Sequence, residues 1–274
     1  MAAKTLFNKI AQWRKPIGWL LLLYLLLGWI FYANQERFIF QARVIKHDQQ
    51  LNIIAPHEEI TIPIDQEDTL HMVRFKTKQN PARGVVLYFH GNRENIEWYA
   101  PQADLFTQEG YEVLMMDYPG YGKSRGERSE SKIYQWAALV YQLARKKYEP
   151  NQIILYGKSL GTGVAAQLAS KKDCNQLILE TPYTNFSAVF SYYMPIYPFN
   201  TLLHYQFPTA QYLEKVEAPI RIVHGTSDFV IAHQQSIKLT KRKKGIALLL
   251  VQGGSHNNLF DFKQTRAALK NWLL

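Results

Sequence analysis

The chain has 274 residues, 47% of them hydrophobic, and a single cysteine, Cys174. That is enough for one large domain with a full core plus an appendage, and it excludes an intrachain disulfide framework or a cysteine metal cluster. The formal charge of +10 is uneven: residues 1–46 hold seven Lys/Arg and one acid, Glu36, whereas the remainder holds 25 Lys/Arg against 21 acids, too mild a balance for a nucleic-acid-binding face.

Residues 16–35 carry no charge, and their centre, Ile17 to Tyr32, is almost continuously apolar. At about 1.5 Å per residue the stretch is near the short end of what crosses a bilayer. Trp13, Trp19, Trp29 and Tyr32 lie toward its ends, as interfacial aromatics do. A cleaved signal peptide is the rival reading, but Gly28 to Asn34 offers no convincing small-residue cleavage site. The expectation is an uncleaved anchor within residues 1–35, followed by a connector over 36–55 and a folded domain over 56–274. Lys4, Lys9, Arg14 and Lys15 precede the span, against Arg37, Arg43 and Lys46 just after it. This narrow excess, on a short tail, predicts a cytoplasmic N-terminus and an extracytoplasmic domain.

Period-two alternation over Glu59–Ile64 and a second run over Thr69–Lys76, joined by a turn at Asp65–Asp68, predict a β-hairpin. Gly84–Phe89 is a continuous apolar strand, as a central parallel strand should be, and His90-Gly91-Asn92 ends it. Helical spacing runs from Asn95 to Glu109 and stops at Gly110. A strand over Glu112–Asp117, a glycine-rich loop and an amphipathic helix over Ser129–Tyr148 follow, with Ser129 or Ser131 as its cap.

The next stretch organises the rest. The apolar run Gln152–Tyr156 enters Gly157-Lys158-Ser159-Leu160-Gly161, and the small residues Thr162–Ala169 lead out. This is a strand, a sharp turn and a helix in the Gly-x-Ser-x-Gly form of a nucleophile elbow. Ser159 would project from the strand's C-terminal end at a helix N-terminus, where developing negative charge is favoured. Beyond it lie a strand at Gln176–Glu180 and an aromatic, proline-rich insert at Thr181–Val216. The rhythm then resumes with a strand at Pro219–His224, a helix at His233–Lys244, a strand at Ile246–Val251 and a terminal helix at Asn258–Leu274. Strands alternating with helices predict a mostly parallel sheet covered on both faces. The run Lys241–Lys244 suits either the dipole of a solvated helix end or anionic lipid.

A serine hydroxyl is a weak nucleophile near pH 7 and needs a base. In such a sheet the functional groups collect at the strands' C-terminal ends. The loop after His224 carries Asp228, and the loop after Val251 carries His256. His256 would take the Ser159 proton and return it to the leaving group, while Asp228 would fix the imidazole tautomer. Glu180, also at a strand end, is the rival acid. The oxyanion needs donors already in place. The N–H of Leu160, directly after the nucleophile, is one, and the N–H of Asn92 is the other. His90 reads as structural.

In series, Phe89-His90-Gly91-Asn92, Asp117-Tyr118-Pro119-Gly120-Tyr121-Gly122-Lys123-Ser124, Gly157-Lys158-Ser159-Leu160-Gly161, Gly225-Thr226-Ser227-Asp228 and Gly254-Ser255-His256-Asn257-Asn258 resemble the BEM46-type branch of the α/β-hydrolase superfamily and its membrane-anchored relatives. The resemblance covers about Ile60 to Leu274. It implies an α/β-hydrolase fold, a mostly parallel central sheet with helices on both faces and a small cap insert at about 181–216. It also implies the triad Ser159, Asp228 and His256, the oxyanion donors Asn92 and Leu160, and neither cofactor nor metal. Thr162 departs from the pattern, where a second glycine is frequent, and puts the packing of the following helix in question. The substrate implied is an acyl ester, thioester or lipid-like molecule, with membrane lipid met through the N-terminal helix and no nucleic acid. A serine peptidase of related fold, and a non-catalytic tethered interaction protein on the same scaffold, are the alternatives.

Overall fold

The computed structural model describes residues 2–274, with side chains from residue 15 onward. The side chains of Lys4, Lys9, Trp13 and Arg14 lie outside that set. Helix α1 runs from Ala2 to Ile39 with Pro16 inside it, and Lys15–Ile39 is long and apolar enough to cross a membrane, with a mean hydropathy of 1.9. It therefore continues past Gln35. The chain that follows is not a free tether: Phe40, Ile45 and Leu51 are buried in the domain.

An eight-stranded sheet forms the body. Its strands are β1 (His57–Pro63), β2 (Thr69–Phe75), β3 (Gly84–Phe89), β4 (Tyr111–Met116), β5 (Ile153–Lys158), β6 (Gln176–Glu180), β7 (Ile220–Gly225) and β8 (Ala247–Val251). Their spatial order is β8-β7-β6-β5-β3-β4-β2-β1. Only β2 runs against the others, pairing antiparallel with both β1 and β4.

The continuous apolar strands are explained by burial on both faces. Val85, Leu87 and Phe89 of β3 join one core with Leu114, Met116, Ile153 and Leu155, whereas Val86 and Tyr88 join the other with Val113, Met115, Ile154 and Tyr156. Period two thus sorts the central strands between two cores, while Val223 of β7 and Val251 of β8 form a third, smaller cluster with Leu259. Helices α2 (Ala103–Gln108) and α9 (Lys263–Leu273) cover one face. Helices α3 (Glu130–Ala144) and α4 (Leu160–Ala169), with the insert, cover the other. The insert holds the short helices α5 (Phe186–Tyr193), α6 (Phe199–Leu202) and α7 (Thr209–Leu213), and α8 (Gln234–Arg242) follows β7.

Two boundaries depart from expectation, and one choice left open is resolved. The helix predicted over Asn95–Glu109 is broken: a turn at Ile96–Tyr99 passes through a 3-10 segment at Ala100–Gln102 before α2. Pro101, which has no N–H to continue the ladder, sits at the break. Ser129, not Ser131, caps α3 by accepting from the Lys132 N–H at 3.1 Å. The last helix starts at Lys263 rather than Asn258, because Asn258 instead accepts the Ser255 N–H at 2.7 Å and opens a 3-10 turn. Thr162 does not disturb α4: it is buried and its hydroxyl donates to the Ser159 carbonyl at 2.6 Å.

Candidate active site

Strand β5 ends at Lys158 and α4 starts at Leu160, so Ser159 alone makes the turn. Its backbone sits at φ 51°, ψ −117°, a region L-residues avoid at a cost of roughly 1–3 kcal/mol. The turn closes because two glycines let backbones touch. A Cβ on Gly157 would meet the Gly161 carbonyl oxygen at 2.4 Å, and one on Gly161 would meet the Phe89 carbonyl oxygen at 1.9 Å. The second contact seats the elbow against the end of β3, from which the His90-Gly91-Asn92 loop departs.

Strands β7 and β8 deliver the other two predicted residues to the same edge. His256 Nε2 lies 3.0 Å from Ser159 Oγ, and His256 Nδ1 lies 2.7 Å from Asp228 Oδ2. Asp228 Oδ1 accepts the N–H groups of Val230 and Ile231, each at 2.8 Å. With Nδ1–H donating to the carboxylate, Nε2 is left as an acceptor facing the hydroxyl. Burial alone would raise the Asp228 pKa, but the hydrogen bonds from His224 and His256 outweigh it and hold the carboxyl well below its usual range. The carboxylate therefore stays ionised beside the imidazole.

The two loops that carry this pair are stitched together. Thr226 N–H donates to Val251 O and Ser227 N–H to Gly254 O, both at 2.9 Å, and Gly253 N–H donates to Thr226 Oγ1 at 2.9 Å. At Gly225 a Cβ would lie 2.1 Å from the Gly254 carbonyl oxygen, so glycine is what allows the loops to meet.

Glu180 is elsewhere. It lies under the elbow, paired with the Lys158 ammonium and accepting the Tyr156 hydroxyl at 2.6 Å. Lys158 also donates to the His256 carbonyl at 3.2 Å. Lys158 and His224 are two site residues that sequence reasoning missed. His224 Nε2 donates to Ile231 O at 2.8 Å and stands 3.3 Å from Asp228 Oδ2, with Ser236 Oγ at 2.6 Å from its Nδ1. Its signal was a strand-end histidine four residues before an aspartate. For Lys158 it was a charge inside an otherwise apolar strand end. His90 is buried among Tyr99, Tyr118 and Tyr121, as a structural residue is.

Leu160 is the first residue of α4, so its N–H has no carbonyl one turn earlier to pair with. Gly91 runs close to the serine, since a Cβ on it would be 3.6 Å from Ser159 Cβ. Asn92 and Leu160 both line a cavity of about 490 Å³ that also reaches Ser159 and His256. The Asn92 side chain donates to Ile39 O at 2.8 Å, tying this loop to the end of α1. Away from the polar end the cavity is apolar, walled by Phe38 and Ile39 of α1 and by Phe186, Val189 and Phe190 of α5.

Lys241–Lys244 closes α8: Arg242 pairs with Glu214 and Lys243 donates to Val216 O at 2.6 Å.

Known proteins resemble this chain at both levels. The Hydrolase_4 family model, described as serine aminopeptidase S33, matches residues 80–212. Alpha/beta hydrolase domain-containing protein 17C of Xenopus tropicalis is 30% identical over 197 residues, which is 70% of this chain and 62% of that protein. The human protein of the same name is 29% identical over the same length, 58% of it being covered. This chain thus spans about three fifths of the length of these relatives. Among solved structures, a Pyrococcus furiosus esterase superposes with a TM-score of 0.66 at 18% identity, covering 86% of this chain and 97% of that one. A soluble variant of the Saccharomyces cerevisiae monoglyceride lipase, in complex with a substrate analog, gives 0.60 at 17% identity, covering 84% and 98%. Strand order, elbow and relatives agree, and the chain has the α/β-hydrolase fold.

Proposed function

We propose that the protein is a membrane-anchored serine hydrolase of acyl esters or thioesters, of the BEM46-type branch. The observation that carries this reading is the His256 imidazole bridging Ser159 Oγ and Asp228. Ser159 Oγ attacks the acyl carbonyl while His256 Nε2 takes its proton. The N–H groups of Leu160 and Asn92 stabilise the tetrahedral oxyanion, the α4 dipole adding to them. Collapse expels the alcohol or thiol, which leaves with the proton from His256, and Ser159 holds the acyl group. Water then attacks the acyl-enzyme, His256 again acting as base, and the acid is released. Asp228 keeps the imidazole in the required tautomer. The apolar wall of Phe186, Val189 and Phe190 suits an acyl chain better than a peptide.

The test is fluorophosphonate labelling and hydrolysis of p-nitrophenyl esters of graded chain length by the full chain. Ser159→Ala should abolish labelling and lower kcat by several orders of magnitude, about 10⁶ where a serine and its base act as a unit. Wild-type rates in a folded Ser159→Ala protein would end the serine-hydrolase reading. Turnover of peptide p-nitroanilides but not of esters would favour the peptidase that the family model's description names.

We place α1 across the membrane, with the N-terminus in the cytoplasm and the domain outside. A reporter fused after Leu274 checks the side. Alkaline phosphatase activity is expected, and a fluorescent cytoplasmic fusion without phosphatase activity would reverse the orientation.

A further inference from the structure

The insert does not sit only over the active site. It also runs along α1. Tyr24, Gly28, Phe31 and Gln35 of α1, spaced to share one helix face, all meet it. Tyr24 stacks on Tyr197 with ring centroids 4.6 Å apart. The Tyr24 hydroxyl donates to Ile196 O at 2.9 Å and the Tyr197 hydroxyl to Tyr24 O at 3.0 Å. Gly28 leaves room for the Tyr197 ring, which a Cβ would approach to 3.0 Å. Phe31 packs edge-on against Phe190 and Phe199, and Gln35 Oε1 accepts the His204 N–H at 2.7 Å.

These contacts fix the depth of the insert relative to the span. The uncharged segment covers residues 16–35. Tyr24 lies about 18 Å along the helix from Glu36, at roughly 1.5 Å per residue. Residues 16–24 alone extend only about 14 Å, half of a hydrocarbon core of roughly 30 Å. If α1 crosses a bilayer, the segment beside the insert must therefore lie in hydrocarbon, and the tip of the insert goes with it.

The composition and exposure of the tip fit that surrounding. Residues 181–213 contain no Asp, Glu, Lys or Arg. Tyr192 is 63% exposed and Ile196 68%, and Phe229, whose carbonyl accepts the Tyr193 hydroxyl from the neighbouring loop, is 86% exposed, large apolar groups that water disfavours. In the turn at 194–198, Pro195 and Pro198 have no N–H. The Met194 and Tyr197 N–H groups donate to Phe190 O and Met194 O, and Ile196 O takes the Tyr24 hydroxyl. Of the turn's three N–H groups only that of Ile196 lacks an intramolecular partner, which limits the cost of entering hydrocarbon.

We infer that the Tyr192–Tyr197 tip of the insert is sunk in the lipid leaflet beside α1, so that the cavity opens into the bilayer and draws acyl chains from it rather than from water. The cavity rim supports this, since Phe38 from α1, Trp98, Tyr193 and Val230 line it and are exposed. The inference rests on the proposed anchoring and hydrolase roles, with lipid hydrocarbon as the occupant of this surface.

The experiment uses the full chain in phosphatidylcholine vesicles with Cys174→Ser. Spin labels go singly at Ile196→Cys, at Ile54→Cys as a fully exposed reference, and at Leu21→Cys within the span. Collisions with oxygen report hydrocarbon and collisions with a neutral nickel chelate report water. The Ile196 label should favour oxygen as the Leu21 label does, with Ile54 favouring nickel. An Ile196 label as open to nickel as Ile54 overturns the inference. So does one shielded from both and broadened by a neighbouring label, because a second copy then covers the tip. A Leu21 label open to nickel overturns the anchoring reading and this inference with it.

Ile196→Asp should lower hydrolysis of a long-chain ester held in vesicles about tenfold, as a charge placed in hydrocarbon demands, and leave p-nitrophenyl acetate hydrolysis in buffer unchanged. Equal rates on the vesicle substrate overturn the inference. Absence of hydrolysis of both esters by wild type overturns the hydrolase reading instead, and the label depths still decide the position of the tip.

Discussion

Removing Lys158 should unfold the elbow from beneath. Lys158 and Glu180 are 2% and 0% exposed, so Lys158→Met leaves a carboxylate in the core with the Tyr156 hydroxyl as its remaining side-chain partner. Breaking one half of a buried pair costs about 3–5 kcal/mol, whereas replacing both halves with neutral groups is often close to neutral. At roughly 2–4 °C per kcal/mol for a domain of this size, Lys158→Met should lower Tm by about 6–20 °C. Lys158→Met/Glu180→Gln should regain most of that loss, because the amide oxygen still accepts from Tyr156. The coupling between the two positions should be about 2 kcal/mol or more. Both variants lose the ammonium that holds the His256 carbonyl, so both should lose about tenfold in kcat/KM, near 1.4 kcal/mol. Thermal unfolding of the full chain in detergent, followed by near-UV circular dichroism, supplies the first comparison, and p-nitrophenyl butyrate hydrolysis the second. A single variant no less stable than the double would refute the argument, because Glu180 would then not depend on Lys158 for its charge.

Asp228→Asn should reduce kcat/KM by about 10⁴ through the wrong imidazole tautomer, and Glu180→Gln far less, as rates of both folded variants will show. The lowered Asp228 pKa also has a stability consequence. A carboxyl bound more strongly when ionised stabilises the fold above its unfolded value, about pH 4, and loses that contribution as pH falls further. Wild-type Tm should therefore drop more steeply below about pH 4 than that of Asp228→Asn. Gly161→Ala should destabilise by about 3 kcal/mol or prevent folding, since the clash is with β3 backbone. Yield and Tm test this, with Gly245→Ala as the contrast: its added Cβ meets nothing within 4 Å and only its φ of 84° opposes it.

The strands and the elbow were legible because burial on two faces writes itself as unbroken apolar runs, and tight turns as glycines. Ser159, Asp228 and His256 could be singled out because each follows such a run, in an order the sheet brings together. The insert was not legible as helices. Its one stretch of helical spacing, Phe186, Val189, Phe190 and Tyr193, is short and cut off by Pro195 and Pro198, and α5 and α6 are held by α1, far away in the chain. Contacts of that range leave no local trace, and the same holds for the burial of Phe40, Ile45 and Leu51 in what reads as a connector of mixed composition. Lys158 and His224 escaped for a related reason: each acts through a partner that only the folded sheet supplies.

The stitching of the β7 and β8 loops makes the proposed acid and base a single part, and the serine a separate one on the other side of β6. An engineer exchanging the nucleophile, for instance Ser159→Cys, would inherit an imidazole whose orientation is set without reference to residue 159. Transplanting the acid–base pair to another scaffold would conversely mean moving residues 224–231 and 251–258 as one cassette, with both meeting glycines, since neither loop holds its shape alone.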